Sequence, residues 1–245
     1  MMSIDAVSFD LWGTLISYGD RAAEAAWRTA EFARVLSAFG QQRHPDEVGH
    51  AITEVRQQTL KIQQHDGTQV SPRDQAATIA ARLGVTGQDV IDVLLVPHAH
   101  AVLRACPALL PHAREALTAV KHAGRVLVLT SNTLATPAAV TRQLLDYLGI
   151  EHLFDHFFFS GDLGAAKPRQ EVFAAITEAT AIPPGRIVHI GNEWRSDIQG
   201  ALGAGCQAIW FNPARKRAGQ GAISIASLAE AELAIAVLGT ERSLV

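Results

Sequence analysis

Asp10 closes the apolar run Ala6-Val7-Ser8-Phe9 and is followed at once by Leu11-Trp12-Gly13-Thr14. A carboxylate there, at the carboxyl end of a buried strand, lies where open α/β sheets bind their ligands, and it can serve as a nucleophile. Three more apolar runs end in polar groups. Leu127-Val128-Leu129-Thr130 passes into Ser131-Asn132, whose hydroxyl and following turn amides suit an anionic oxygen. Phe157-Phe158-Phe159-Ser160 leads through Gly161-Asp162-Leu163-Gly164 to Lys167-Pro168. Proline keeps the residue before it extended, so the Lys167 ammonium is held where it can offset charge on Asp10 and on a bound anion. The fourth run, Arg186 to Ile190, ends in Gly191-Asn192-Glu193-Trp194-Arg195-Ser196-Asp197. Its carboxylates, with Asp10, make a hard oxygen set suited to Mg²⁺, which takes one or two carboxylates plus substrate and keeps several waters.

These residues need a scaffold that brings four strand ends together. The strands lack polar alternation and are separated by helical stretches at His112–Ala123, Pro137–Leu148, Gln170–Thr180 and Asp197–Ala204. That pattern predicts an α/β fold, a doubly wound parallel sheet buried on both faces. Ala208-Ile209-Trp210-Phe211 reads as the last strand, and the Ala-rich tail from Ser227 as one closing helix. Between Arg21 and Ala105 the periodicity is helical throughout: Ala22–Phe39, Pro45–Gln64, Ser71–Leu83 and Gln88–Leu103. This predicts an all-helical insert that returns through Pro107 to Pro111.

Charged residues are 18% of the chain and the net charge is -3, with no basic excess, which argues against nucleic-acid partners. No apolar run approaches the ~18 residues of a membrane span. Two cysteines, Cys106 and Cys206, make no disulfide framework. A soluble, cytoplasmic protein acting on a small-molecule substrate, as monomer or homodimer, is the expectation.

In this order and context, Asp10 with Gly13-Thr14, Ser131, Lys167 and the Gly191–Asp197 segment resemble the four motifs of the haloacid dehalogenase superfamily, over nearly the whole chain. The resemblance implies a Rossmann-like core at 1–16 and 108–245 with a type 1 helical cap at 17–107. It further implies that Asp10 attacks the substrate to form a covalent aspartyl intermediate that water hydrolyses. Ser131 and Lys167 would assist, with Thr14, Ser131, Asn132 and Lys167 binding substrate. Mg²⁺ would rest on Asp10, the backbone carbonyl of Trp12, and the Asn192, Glu193 and Asp197 segment, with Asp197 foremost.

Two positions depart from the family's phosphatases. Trp12 stands where a second Asp protonates the leaving oxygen, and Asn192 stands where an Asp is usual. Three readings follow: a Mg²⁺-dependent phosphatase of a small phosphorylated metabolite, a metal-independent 2-haloacid dehalogenase-like hydrolase, in which an aromatic at position 12 is at home, and a catalytically impaired binding or regulatory protein on the same scaffold. Other residues have plainer readings. His98 and His100 are two apart and share no helix face, His189 lies inside a strand, and Trp194 suits packing. Arg195 and Asp162 suit surface and turn. Trp27, Arg28 and Arg34 on the first insert helix are candidates for substrate contact.

Overall fold

The computed structural model describes residues 3–217, 219 and 221–240. The ends of the expected core span, residues 1–2 and 241–245, lie outside the described residues. The sheet has six strands: β1 (Ala6–Phe9), β2 (Val126–Ser131), β3 (His156–Phe159), β4 (Ile187–Gly191), β5 (Gln207–Phe211) and β6 (Ile223–Ile225). All neighbours are parallel, in the order β3-β2-β1-β4-β5-β6. The chain leaves β1 toward β2 on one side and later returns to β4 on the other, so β1 sits at the point where strand order reverses. Ligands of such sheets bind in the crevice at that point, beyond the carboxyl ends.

Alternate side chains of each strand face opposite ways. Val7, Phe9, Leu127, Leu129, Val188 and Ile190 enter one apolar cluster. Ala6, Val128, Ile187 and Ala208 enter the cluster on the other face. Each is buried, and at roughly 25 cal/mol per Å² of apolar area this two-sided burial is what fixes the strands. The helices of this layered part are α5 (Ala113–His122), α6 (Ala138–Tyr147), α8 (Gln170–Thr180), the short α7 (Ser160–Leu163) and α9 (Gly200–Gly203), and the closing α10 (Ala231–Thr240).

Between β1 and α5 lie α1 (Arg21–Ala38), α2 (Pro45–Asp66), α3 (Pro72–Arg82) and α4 (Gln88–His100), then a 3₁₀ turn at Ala101–Ala105. Local chemistry sets their ends. The Asp20 carboxylate accepts from the amides of Ala22 and Ala23 to start α1, and Ser71 caps α3 by accepting from Asp74 N. Gly67, at φ +73°, ends α2. The four helices close on their own apolar cluster, which includes Phe32, Leu36, Val48, Ile52, Ile79 and Leu94. They are tied down above the carboxyl edge of the sheet. Gln63 Nε2 donates to Thr133 O at 2.9 Å, Gln75 Nε2 to Leu134 O at 2.9 Å, and Ala166 N to Gly67 O at 2.8 Å.

The structure corrects the sequence reading at several elements. β6 follows the strand expected to be last, and three residues are too short a run for periodicity to reveal. The helix expected from Asp197 begins earlier, as a π-helical turn over Trp194–Gln199, and continues into α9. The fourth insert helix stops at His100, three residues before the expected end, and the chain tightens to 3₁₀ from Ala101. The tail from Ser227 is a 3₁₀ turn, Leu228–Glu230, followed by α10. Among the described residues no helix is long and apolar enough to cross a membrane.

Candidate active site

Three charged side chains from three strand ends converge below the insert. The ammonium of Lys167 lies 2.8 Å from Asp10 Oδ1, 2.8 Å from Asp197 Oδ1 and 2.7 Å from the carbonyl of Thr130. Lys167 is 1% exposed and Asp197 1% exposed, while Asp10, at 7%, keeps an opening to the cavity above. Two carboxylates thus share one buried cation, and their affinities for protons are driven apart. Burial, reinforced by Asp197 and opposed by Lys167, pushes the Asp10 carboxyl up to about 6. For Asp197 burial works the same way, but Lys167 and His189 outweigh it and hold its carboxyl well below the usual range. Burial also works against the charge on Lys167, and its two carboxylate partners more than restore it.

Asp197 is fastened on both oxygens. Besides Lys167 at Oδ1, its Oδ2 accepts from the amide of Glu193 at 2.8 Å. Its carboxylate also presses on Gly191, where an added Cβ would come within 2.4 Å of the Asp197 carboxyl carbon. Only glycine leaves room for that carboxylate at the end of β4. Asp197, foremost among the expected metal ligands, is therefore placed to hold Lys167. Beneath it, the buried His189 receives or gives a hydrogen bond with Ser8 Oγ at 2.9 Å, and Ser8 pairs with Thr130 Oγ1 at 2.7 Å. The His189 Nε2 faces Asp197 Oδ1 at 3.6 Å, and burial, with Lys167 nearby, depresses the imidazole to about 4, so the ring stays neutral at pH 7.

The turn after β1 gathers oxygens. Thr14 Oγ1 lies 3.2 Å from Asp10 Oδ2 and 3.1 Å from Asn192 Oδ1, and its single proton serves one of them at a time. Thr14 is fully buried and orients these two groups; it does not line the cavity. Gly13, at φ +78°, passes so close to Asn192 that a Cβ would meet the amide nitrogen at 2.7 Å. The Trp12 carbonyl accepts from the Tyr18 hydroxyl at 3.3 Å. Among the described residues no three His, Cys, Asp or Glu side chains form a metal-holding group. The donors near Asp10 are one carboxylate, one amide oxygen and one carbonyl, with the exposed Glu193 at the cavity wall. That hard, lightly charged set fits Mg²⁺, which completes its shell with water and substrate oxygens.

A model of haloacid dehalogenase-like hydrolases matches residues 4–205. The chain belongs to that family. Stretches of this haloacid dehalogenase-like hydrolase are similar to curated phosphatases. One is 38% identical over 65 residues to glyceraldehyde 3-phosphate phosphatase of Methanothermobacter thermautotrophicus, covering 26% of this chain and 29% of that one. Another is 28% identical over 104 residues to the pyrimidine 5'-nucleotidase YjjG of Escherichia coli, covering 42% and 44%. The chain thus spans less than half the length of these relatives. Among solved structures, a 2-haloacid dehalogenase from Pseudomonas syringae pv. Tomato DC3000 superposes with a TM-score of 0.68 at 21% identity, over 96% of this chain and 99% of that one. A HAD phosphatase from Thermococcus onnurineus gives 0.64 at 20%, over 97% and 99%. At those identities the likeness is one of fold.

In this hydrolase the cavity over Asp10 measures about 450 Å³ and takes its walls from both the sheet edge and the insert. Asn132 lines it, but its side chain is committed to Lys167, giving to the carbonyl at 2.9 Å and accepting from the amide at 2.8 Å. Ser131 is 1% exposed with one long contact, 3.5 Å, to Asn132 O, and the wall itself is formed by Asn132 and the residues after it, to Thr136. Arg195 also lines the cavity and bonds to the carbonyl of His65. Trp194 packs edge-on against Trp210, with centroids 4.9 Å apart.

Sequence reading missed the insert's share: Tyr18, Arg21, Glu24, Arg56 and Gln64 all face the cavity. Of the insert residues it named, Arg28 is buried behind Glu24 at 2.6 Å, Arg34 pairs with Glu31 outside, and Trp27 carries Arg104 over its ring. The available signal was Arg21, Glu24 and Arg28 at helical spacing after the Asp20 cap, one continuous face. His98, for its part, is a core imidazole, bonded to Gln75 and edge-on to Phe32.

Proposed function

We propose that this chain is a phosphatase of a small phosphorylated metabolite, with Asp10 as nucleophile and Mg²⁺ as cofactor. The observation that carries the reading is the Asp10 carboxylate, held by the Lys167 ammonium at 2.8 Å, at the floor of a cavity whose walls carry Arg21, Arg56 and Arg195. The lining sets Arg21, Arg56, Lys167 and Arg195 against Asp10, Glu24, Glu193 and Asp197, and a cavity of that size with two arginines on the insert side suits an anion larger than a short haloacid.

In the first step an oxygen of Asp10 bonds to phosphorus and the ester P–O bond breaks. Trp12 has no proton to give, so the leaving oxygen takes one from water or leaves as a stable anion. In the second step water attacks phosphorus, a proton passes to solvent, and the Asp10 carboxylate is released with phosphate. Lys167 keeps Asp10 ionised and offsets charge on the transferring group. Thr14 fixes the Asp10 carboxylate, while Asn132 fixes the Lys167 backbone. The insert acts as a cap that shields the reacting groups from bulk solvent while the attacking water is retained in the cavity. Asp10, the Trp12 carbonyl and the Asn192 amide oxygen would hold Mg²⁺, with Glu193 reaching it through water. When bound, the ion neutralises charge on phosphoryl oxygens.

The test is a set of phosphate esters and 2-haloacids assayed with Mg²⁺ and with chelator. Phosphate release that needs Mg²⁺ is expected. Release that persists after complete metal removal would overturn the cofactor assignment. The aromatic Trp12 and the Asn192 amide favour a second reading, a dehalogenase-like hydrolase. Halide release from 2-chloropropionate without metal, in place of phosphate release, would establish it.

The pH profile provides an independent check on Asp10. A carboxylic acid is no nucleophile, and in the metal-free protein the Asp10 carboxyl, raised to about 6, is expected to titrate near pH 6, while Mg²⁺ on that carboxylate moves the acid limb of kcat/KM below this value. The ionisation of the substrate phosphate, measured separately, is divided out. Titration of Asp10 near pH 4, the ordinary carboxylate range, in the metal-free protein would mean that its burial does not perturb it.

A further inference from the structure

The roof of the cavity holds more positive charge than the fold uses. Glu24 Oε1 accepts from Arg28 at 2.6 Å and lies 3.4 Å from Arg56 NH1, so one carboxylate oxygen faces two guanidinium groups. Arg21, one turn before Glu24, is a third cation at the same wall, its guanidinium 5.6 Å from the Tyr18 ring centroid and without an acidic partner among the described residues. Arg28 is fully buried behind Glu24, and the buried His98 beside it carries no compensating negative charge.

Arg56 is the informative residue. Its side chain is three-quarters buried and lines the cavity, yet among the described residues its one interaction with a protein acceptor is the 3.4 Å approach to a carboxylate that Arg28 already holds more closely. Burial, with the neighbouring Arg28, depresses its pKa to about 10 against the pull of Glu24. A guanidinium has five N–H donors in a planar fork that matches carboxylate or phosphate oxygens. Donors at the cavity wall that no such oxygen among the described residues engages are open to an anionic ligand, which would match them.

The Tyr18 ring stands between Arg21 and the turn that carries the nucleophile. The Tyr18 hydroxyl touches the Trp12 carbonyl at 3.3 Å, at the turn that carries Asp10, and Arg21 lies on the face of the same ring. One aromatic side chain therefore separates the reacting end from the basic end. A short carbon chain spans that gap.

We propose that Arg56, with Arg21 beside it, binds a second anionic group, so that the substrate is a phosphorylated metabolite with a carboxylate or a further phosphate at the end remote from Asp10. This deepens the phosphatase reading and rests on it.

The experiment compares 3-phosphoglycerate and fructose 1,6-bisphosphate, which carry the second anion, with glycerol 3-phosphate and p-nitrophenyl phosphate, which do not. The full-length enzyme is expected to prefer a member of the first pair, and which one identifies the second anion as carboxylate or phosphate. In Arg56→Met, which keeps an unbranched stem of similar reach, the kcat/KM ratio of the preferred doubly anionic ester over p-nitrophenyl phosphate is expected to fall about 10- to 100-fold, the range for a lost charged hydrogen bond. An unchanged ratio in a folded variant overturns the proposal. Calorimetric binding of the same compounds to Asp10→Asn, with and without Arg56→Met, reads the subsite without turnover. If no ester is hydrolysed by the wild-type enzyme, the phosphatase reading fails alone, and the binding difference still decides the subsite. If 3-phosphoglycerate and fructose 1,6-bisphosphate bind no tighter than glycerol 3-phosphate, the subsite fails.

Discussion

Asp10→Asn is expected to lower kcat for phosphate release by about 10⁴-fold or more, the scale seen when an enzyme loses its nucleophile, while leaving the fold intact. The amide cannot form the acyl phosphate bond, and Asp197, the other carboxylate on Lys167, cannot replace it, because it is closed in by Lys167 and the Glu193 amide. Stability should survive for a reason specific to this site. Removing one partner of a buried ion pair is ordinarily costly, about 3–5 kcal/mol, since it strands the other charge. Here Lys167 keeps Asp197 at 2.8 Å and the Thr130 carbonyl at 2.7 Å. The asparagine carbonyl can still face the ammonium, and its amide can face the Thr14 hydroxyl. Steady-state phosphate release and thermal unfolding on one preparation check both halves. A variant that turns over at more than a few per cent of the wild-type rate would remove Asp10 from the nucleophile role.

The elements that carry this site were legible in the sequence to different depths. β1, β2 and β4 could be read because each is a continuous apolar run, and a polar residue closing such a run must lie at a strand end. That places Asp10 and the Gly191–Asp197 segment before any coordinates. Lys167 could be read because a proline fixes its direction. The partner each side chain chooses could not. Asp197 turns back onto Lys167 and the Glu193 amide because the chain coils into a π-helical turn at Trp194–Gln199, and nothing in residue type announces that turn. Asn132 is committed to the Lys167 backbone across a separation of 35 residues. The roof was least legible. Arg21, Glu24 and Arg56 sit on helices whose apolar faces were plain, but which polar face meets the cavity depends on how α1 and α2 are tied to the sheet edge. Those ties, such as Gln63 to Thr133, are long-range side-chain contacts.

Trp12 also changes meaning once its surroundings are seen. Its ring stacks against Tyr18, with centroids 6.1 Å apart and planes 17° from parallel, and the Tyr18 hydroxyl returns to the Trp12 carbonyl. Burial, with Asp10 and Glu193 near, raises the Tyr18 phenol, so it stays protonated. The position where the family resemblance implies a carboxylate is here the base of an aromatic pair that links the nucleophile turn to the first residues of the insert. A side chain that packs in this way shapes the cavity wall and transfers no proton.

Trp12→Asp is accordingly expected to raise phosphate release from alkyl phosphates by about 10²-fold or more, within the 10²–10⁴ range of general acid catalysis, and to change aryl or acyl phosphate hydrolysis far less. Alkoxide is a poor leaving group and needs a proton as the P–O bond breaks, whereas phenolate and carboxylate leave unaided. The expected signature is therefore a change in the ratio of rates for the two leaving-group classes, which a general loosening of the cavity would not produce. Loss of the aromatic stack costs stability of about 0.5–1.5 kcal/mol beyond the lost burial. It leaves the main-chain geometry of Gly13 and Thr14 to the hydrogen bonds of the turn itself, including Gly13 N to Ile16 O at 2.8 Å. Rates for glycerol 3-phosphate and p-nitrophenyl phosphate, measured with Mg²⁺ on folded protein, give the ratio. If the alkyl rate does not move while the variant is folded, the absent carboxylate is not what limits the wild-type enzyme, and the proton for the leaving oxygen comes from another group in the cavity.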